Sequence, residues 1–93
     1  MHKSKEIDRL FSAILSLKNP EECYALFTDI CTVKEVQAMS QRLEVASQLA
    51  SGKNYNAVSI DTGASSATIS RVNRCLQYGE GGYQLVLSRL EEE

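Results

Sequence analysis

The sequence predicts an all-α protein, and three features support that prediction. Apolar residues recur at the three- and four-residue spacing of one helix face over about 4–18 and again over about 33–51. Residues that commonly begin helices, such as Asn19 followed by Pro20, stand between apolar stretches, and glycines end several of these stretches. No segment sustains the alternation of apolar and polar residues that is typical of a half-buried strand.

Six helices are expected in chain order. Asn19 can cap the second helix, Thr32 with Glu35 three residues later matches a capping box before the third, and Ser65 can cap the fifth. A glycine follows the third, fourth and fifth helices, and glycine is the residue that most often ends a helix. The side of the second helix expected to be buried carries Tyr24, Phe27, Ile30 and Cys31. The expected ranges are about 4–18, from 20 onward, 33–51, 56–62, 65–78 and 83–90.

Length and composition limit what the chain can do. Its 93 residues are expected to form a single domain over 1–93, and chains this short often gain stability by associating. No apolar run is long enough to cross a bilayer, and the charged first residues do not match a secretory signal. The three cysteines are odd in number and form no CxxC pair, which favours reduced thiols in a cytoplasmic protein. We therefore expect neither a membrane partner nor a metal site.

Catalysis is not expected either. The only histidine is residue 2, near a chain end that commonly frays, and it cannot anchor a catalytic pair or a metal cluster there. The sequence also shows neither the spacing of a catalytic carboxylate pair nor that of metal ligands. An enzyme would need a titratable cluster in a pocket, so we predict that the protein is not one.

The distribution of charge favours a polyanionic partner only in the second half of the chain. The whole chain carries a net charge of −2, whereas residues 33–78 carry five basic and three acidic side chains. No acidic residue lies between Gly63 and Gly79. A solvent-exposed helix usually carries both lysine and glutamate, so the absence of acidic residues from this segment indicates a surface that binds a partner.

Residues 54–78 have the length of a helix-turn-helix and the residues typical of its boundaries. They comprise a short helix, a turn that contains Gly63, and a second helix. In DNA-binding proteins the second helix of this motif enters the major groove by its N-terminal residues. Helical periodicity places Ile69, Val72 and Leu76 on the inward side of that helix. Its outward side has small residues near the start, which allow the helix backbone to approach the floor of the groove closely. Arginines further along that side can contact phosphates or guanine edges. The candidate DNA-binding residues are Asn54, Asn56, Ser65, Ser66, Ala67, Thr68, Ser70, Arg71 and Arg74.

Each of these features also has a simpler interpretation. Serine and asparagine at helix starts are often caps only, and surface arginines are often merely solvated. A helical protein-interaction module without DNA binding is the main alternative function. Large apolar anchors on the outward side would favour that module, whereas serine, alanine and arginine favour DNA.

The segments 31–38, Arg42, Gly52 and 63–71 together resemble the Trp repressor family, and more narrowly its YerC/YecD branch. The resemblance is detailed over about 31–78 and extends plausibly over the whole chain. It implies a six-helix Trp repressor-like subunit that forms an intertwined homodimer, from which two helix-turn-helix units project. It also implies a transcriptional regulator, and by its type a repressor, that reads a near-palindromic operator in double-stranded DNA.

The resemblance further implies an effector site. Thr32, Arg42 and Arg71 match three positions that surround tryptophan in Trp repressor. Val72 replaces a small residue of that site and Cys75 replaces a serine, so the site offers an indole less space and a weaker hydrogen-bond partner. We therefore predict another small ligand, or none, in place of tryptophan. Because the exposed leading residues of the second helix also differ, the operator is expected to differ.

Overall fold

The computed structural model describes residues 1–91, and within that range all regular structure is helical. The chain forms six α-helices, as predicted, and their order matches the one expected from the caps and glycines. Their bounds are α1 Lys5–Leu15, α2 Pro20–Ile30, α3 Val33–Ala50, α4 Tyr55–Thr62, α5 Ser66–Tyr78 and α6 Gly82–Glu91. Among the described residues, no helix combines the length and the apolar character needed to cross a bilayer.

The first helix is shorter than predicted. It ends at residue 15, because the Ser16 hydroxyl donates to the Ala13 carbonyl over 2.6 Å and closes the last turn. The Lys18 backbone amide then donates to Glu22 Oε1 over 2.9 Å, so the linker is bonded to the start of the next helix. These local hydrogen bonds replace the extra turn that apolar spacing alone predicts.

A capping box begins α3, as the sequence predicts. The Thr32 backbone amide donates to Glu35 Oε1 over 2.8 Å, and the Glu35 amide donates to Thr32 Oγ1 over 3.1 Å. The hydrogen bond from the Thr32 backbone, followed by that with the Thr32 side chain, lowers the pKa of Glu35 from its ordinary value. The ionised carboxylate therefore holds the helix start.

The chain divides into two compact units, Met1–Val36 and Gln37–Glu93. All of the fully buried side chains lie in the described part of the second unit, on α3, α4 and α5 and in the turn between the last two. They are Val45, Ala46, Val58, Ala64, Ile69 and Val72. Leu49, Leu76, Tyr83 and Leu87 pack against them. The prediction of a single domain over 1–93 stays a prediction.

The first unit buries no side chain of α1 or α2, although both helices carry apolar residues. The side of α2 that we expected to be buried is only partly covered: Phe27 and Cys31 are half-buried, whereas Tyr24 is 78% exposed and Ile30 is 54% exposed. The expectation that Tyr24 and Ile30 are buried is therefore wrong for the single chain, because no other side chain of the described residues covers them.

Candidate DNA-binding surface and adjoining cleft

Helices α4 and α5 form the helix-turn-helix that the sequence predicts. The Asn54 side chain begins α4 by accepting a hydrogen bond from the Ala57 amide over 2.9 Å. Gly63 ends α4 in the left-handed conformation, with φ of 72°, which favours glycine. Ser65 then begins α5, and its hydroxyl accepts from the Thr68 amide over 3.2 Å. Only two residues thus separate the end of one helix from the cap of the next.

Hydrogen bonds fix the turn between the two helices. The Gly63 amide donates to the Ser59 carbonyl over 2.9 Å, and the Ser59 hydroxyl donates to the Ala64 carbonyl over 3.1 Å. The Ala64 amide donates to Thr62 Oγ1 over 3.2 Å. From α3, Gln41 Nε2 donates to the Thr62 carbonyl over 3.2 Å. The position of α5 relative to α4 is therefore set by these hydrogen bonds as well as by packing.

The inward side of α5 is the one predicted. Ile69 and Val72 are each only 1% exposed and belong to the core that includes Val58 of α4, and the half-buried Leu76 packs against that core. Because burying these side chains stabilises the fold, α5 cannot rotate without exposing them. The opposite side of the helix is consequently held outward.

That outward side is exposed, as predicted. Near the start of α5 it consists of small side chains, and Arg71 and Arg74 follow on the next two turns. Thr68 is half-buried, and its hydroxyl accepts from the Ser65 hydroxyl over 3.1 Å. Among the candidate DNA-binding residues, those exposed are Asn54, Asn56, Ser65, Ser66, Ala67, Ser70, Arg71 and Arg74. Asn54 and Ser65 serve as helix caps, so a DNA contact by either would come in addition to the cap.

The two arginines of α5 are not neutralised within the described chain. The only ion pair within residues 1–91 joins Lys53 Nζ to Asp61 Oδ2 over 2.9 Å. Lys53 lies in the turn between α3 and α4, and Asp61 is the one acidic residue of α4. The carboxylate of α4 is therefore paired with a lysine close to it in the chain. Arg71 and Arg74 therefore give the outward side of α5 its positive charge.

A cleft of about 370 Å³ lies beside α5 within the second unit. Three of its lining residues, Arg42, Arg71 and Cys75, are candidate effector residues that the structure brings together. The fourth, Thr32, belongs to the first unit and caps α3. The full lining is Ala38, Gln41, Arg42, Thr68, Arg71, Val72, Cys75 and Tyr83.

Three lining residues, Ala38, Gln41 and Tyr83, were not among the candidates predicted from the sequence. In the sequence, Gln41 is an ordinary polar residue of α3, and Tyr83 is part of the apolar pattern of α6. No spacing in the sequence links them, because the cleft takes its residues from three helices that are distant along the chain. Among the described residues, no three histidine, cysteine, aspartate or glutamate side chains come together as potential metal ligands.

Comparisons with known proteins agree with this geometry. The family model for Trp repressor protein matches residues 5–91. Protein YerC of Bacillus subtilis (strain 168), which is uncharacterized, is 53% identical over 90 residues, covering 97% of this chain and 86% of its own.

Two solved structures are also similar. A proposed Trp repressor from Staphylococcus aureus is 48% identical with a TM-score of 0.93, covering 98% of this chain and 91% of its own. A TrpR-like protein from Eubacterium eligens ATCC 27750 is 49% identical, also with a TM-score of 0.93, over 96% of this chain and 92% of its own. The chain, in which α5 carries no acidic residue, thus belongs to the Trp repressor family, a family of transcriptional regulators and not of enzymes, and to its YerC/YecD branch.

Proposed function

We propose that the protein is a sequence-specific transcriptional repressor that binds a near-palindromic operator as a homodimer. The observation that carries this proposal is the outward side of α5, which is exposed, free of acidic residues and provided with two arginines outside any ion pair of the described chain. In the geometry typical of the helix-turn-helix, α4 lies across the phosphate backbone and α5 enters the major groove.

Each part of the motif has a distinct task in this proposal. Ser66, Ala67 and Ser70 are short, so the start of α5 approaches the base edges closely, and the two hydroxyls offer hydrogen bonds to them. Arg71 and Arg74 neutralise phosphates or contact guanine edges. The remaining contacts are proposed for the starts of the two helices, where backbone amides favour phosphate. The residues there are Asn54, Asn56, Ser65 and Thr68.

The first unit supports a homodimer. A surface with this much apolar side chain is unusual for a protein that remains monomeric, and a two-fold partner would cover it with the same surface of its own. Two α5 helices would then read half-sites about one helical turn of DNA apart. The large exposed apolar side chains of α1 and α2 are Leu10, Phe11, Leu15, Tyr24 and Ile30.

Selection of bound DNA from a random pool tests the proposal directly. The expected result is a consensus with two-fold symmetry, which a mobility shift then confirms for the full chain. Arg71→Ala should weaken binding to all sequences and reduce the salt dependence by about one unit per arginine lost. An unenriched pool, or an Arg71→Ala variant with unchanged affinity and salt dependence, would refute the proposal. Sedimentation should give the mass of a dimer.

One observation favours a protein-interaction module as the second candidate. Ile60 of α4 is 75% exposed and Tyr78 of α5 is 81% exposed, so the motif also presents two large apolar side chains. If they anchor a protein partner, Ile60→Ala should abolish capture of that partner and leave the affinity for DNA unchanged. A symmetric DNA consensus from the selection would decide for the repressor.

A small effector is proposed for the cleft. Arg42 and Arg71 suit the carboxylate of an amino acid, but Cys75 offers a thiol where a hydroxyl would bind an amino group better. No lining residue is acidic, so nothing among them pairs with that amino group as an ion. The cleft therefore suits a small anion better than tryptophan. Repeating the DNA selection with and without tryptophan tests this point, because enrichment only with tryptophan would refute it.

A further inference from the structure

Tyr78 continues the outward side of α5 beyond the arginines. It is the last residue of the helix and is 81% exposed. At about 100° per residue, Ala67, Arg74 and Tyr78 lie within about 40° of one another around the helix axis, so they form one line along its surface. An aromatic side chain thus follows the small and basic side chains on the side that is proposed to face DNA.

The end of α5 that carries Tyr78 is fixed by hydrogen bonds. The Gly79 backbone amide donates to the Cys75 carbonyl over 2.9 Å, and the Gln84 side-chain amide donates to the Leu76 carbonyl. A Cβ atom at residue 79 would collide with the Cys75 carbonyl, so glycine is required for this turn. Because both bonds close the last turn, Tyr78 is exposed on an ordered helix and not on a frayed end.

The length of α5 places Tyr78 at the edge of the major groove when the start of the helix is inside the groove. Tyr78 follows Ala67 by 11 residues, which at about 1.5 Å per residue is about 16 Å along the helix axis. The major groove of B-DNA is about 12 Å wide and about 8.5 Å deep. A helix that meets base edges at Ala67 therefore carries Tyr78 out to the phosphates that border the groove.

The last turn of α5 can offer such a phosphate only neutral donors, because it carries no basic residue. The hydroxyl of tyrosine is a hydrogen-bond donor at neutral pH, and tyrosine is among the side chains that commonly contact DNA phosphates. Gln77, the other exposed donor of this turn, lies about 100° from Tyr78 around the helix and so at the margin of the outward side. Tyr78 is therefore the better placed of the two.

We infer that Tyr78 is a positioning residue for the operator. Its hydroxyl donates a hydrogen bond to a phosphate oxygen at the edge of the major groove, and this contact sets how deeply α5 enters the groove. The inference rests on the proposed function and adds a contact to it. Because the phenol is neutral, the contact releases no counterion, in contrast to a phosphate contact of Arg74. The affinity for DNA therefore depends on Tyr78, whereas its dependence on salt does not.

Tyr78→Phe removes the hydroxyl and keeps the ring. One hydrogen bond is worth about fivefold in affinity and a dimer makes two, so the variant should bind the selected operator about 25-fold more weakly, with an unchanged salt slope. Fluorescence anisotropy over a range of salt measures both quantities. The midpoint of urea unfolding should not change, because Tyr78 is 81% exposed. Tyr24→Phe, the same change at a tyrosine of α2 that is 78% exposed, should bind DNA like the unchanged protein.

Operators with single neutral phosphates identify the contact itself. Each phosphate along the edge of a half-site is replaced in turn by a methylphosphonate, in which a methyl group takes the place of one non-bridging oxygen and the charge is lost. At the phosphate that accepts from Tyr78, this replacement should weaken the unchanged protein about fivefold more than it weakens Tyr78→Phe. At every other phosphate the two proteins should lose affinity equally.

A Tyr78→Phe variant with unchanged affinity would overturn the inference, and the exposed ring would then be left to a protein partner. A weaker Tyr78→Phe variant that shows no difference from the unchanged protein at any methylphosphonate would overturn it as well, since the hydroxyl would then act without touching a phosphate. Unchanged protein that binds no DNA would refute the proposed function itself. The three failures are therefore distinguishable.

Discussion

Replacing Arg74 with alanine should change both the affinity for DNA and its dependence on salt. Arg74 is exposed on the outward side of α5 and has no ion-pair partner within residues 1–91. Each phosphate that a protein neutralises contributes about −0.9 to the slope of log K against log salt, so two copies per dimer contribute about −1.8. Arg74→Ala should therefore weaken binding about 60-fold at 0.1 M salt and only about 20-fold at 0.2 M salt. Titration of labelled operator DNA at several salt concentrations measures both quantities.

Two variants control for the loss of charge itself. Arg9→Ala removes an exposed arginine of α1, outside the helix-turn-helix, and should leave the slope unchanged. Lys53→Ala removes a cation that is already paired with Asp61, so its effect should be smaller than that of Arg74→Ala. If Arg74→Ala and Arg9→Ala gave the same slope as the unchanged protein, the outward side of α5 would not be the surface that neutralises phosphate.

Three further predictions concern stability and protonation. Ser65→Ala removes the cap of α5 and should lower the free energy of unfolding in urea by about 1 kcal/mol, whereas Ser66→Ala, just inside the helix, should change it little. Val58→Ala leaves a cavity where the side chain is 0% exposed and should cost about 2 kcal/mol in the same measurement. Ile60→Ala, at an exposed position, should cost far less. The capping-box contribution of Glu35 should be complete at neutral pH and disappear as the pH falls through its lowered pKa, which a carboxyl NMR titration should place below 4.5.

Helix starts were the most predictable part of the fold. Asn19, Thr32 and Ser65 each accept a hydrogen bond from an amide three residues later, as their residue types predict. This prediction works because a cap needs only a short side chain and its own following turn. The end of α1 was predicted less well, since Ser16 and the linker after it compete for the same backbone groups.

The burial of α2 was harder to predict because periodicity identifies an apolar side without naming what covers it. Tyr24 and Ile30 lie on such a side and are exposed in the single chain. Helix α5 shows the opposite case, in which Ile69 and Val72 lie on the predicted side and are covered by α3 and α4. The difference is whether another element of the same subunit is present to receive the apolar surface.

The sequence itself determined the order of the six helices, the position of the turn at Gly63 and the outward side of α5. Helix caps, left-handed glycines and the helical period each depend on a few neighbouring residues, so they can be predicted from the sequence. Only the tertiary structure decided that Gln41 and Tyr83 line the same cleft as Arg42, Arg71 and Cys75, which the family resemblance had already grouped. Their proximity depends on how α3, α5 and α6 pack, and packing brings together residues whose separation along the chain carries no periodic signal.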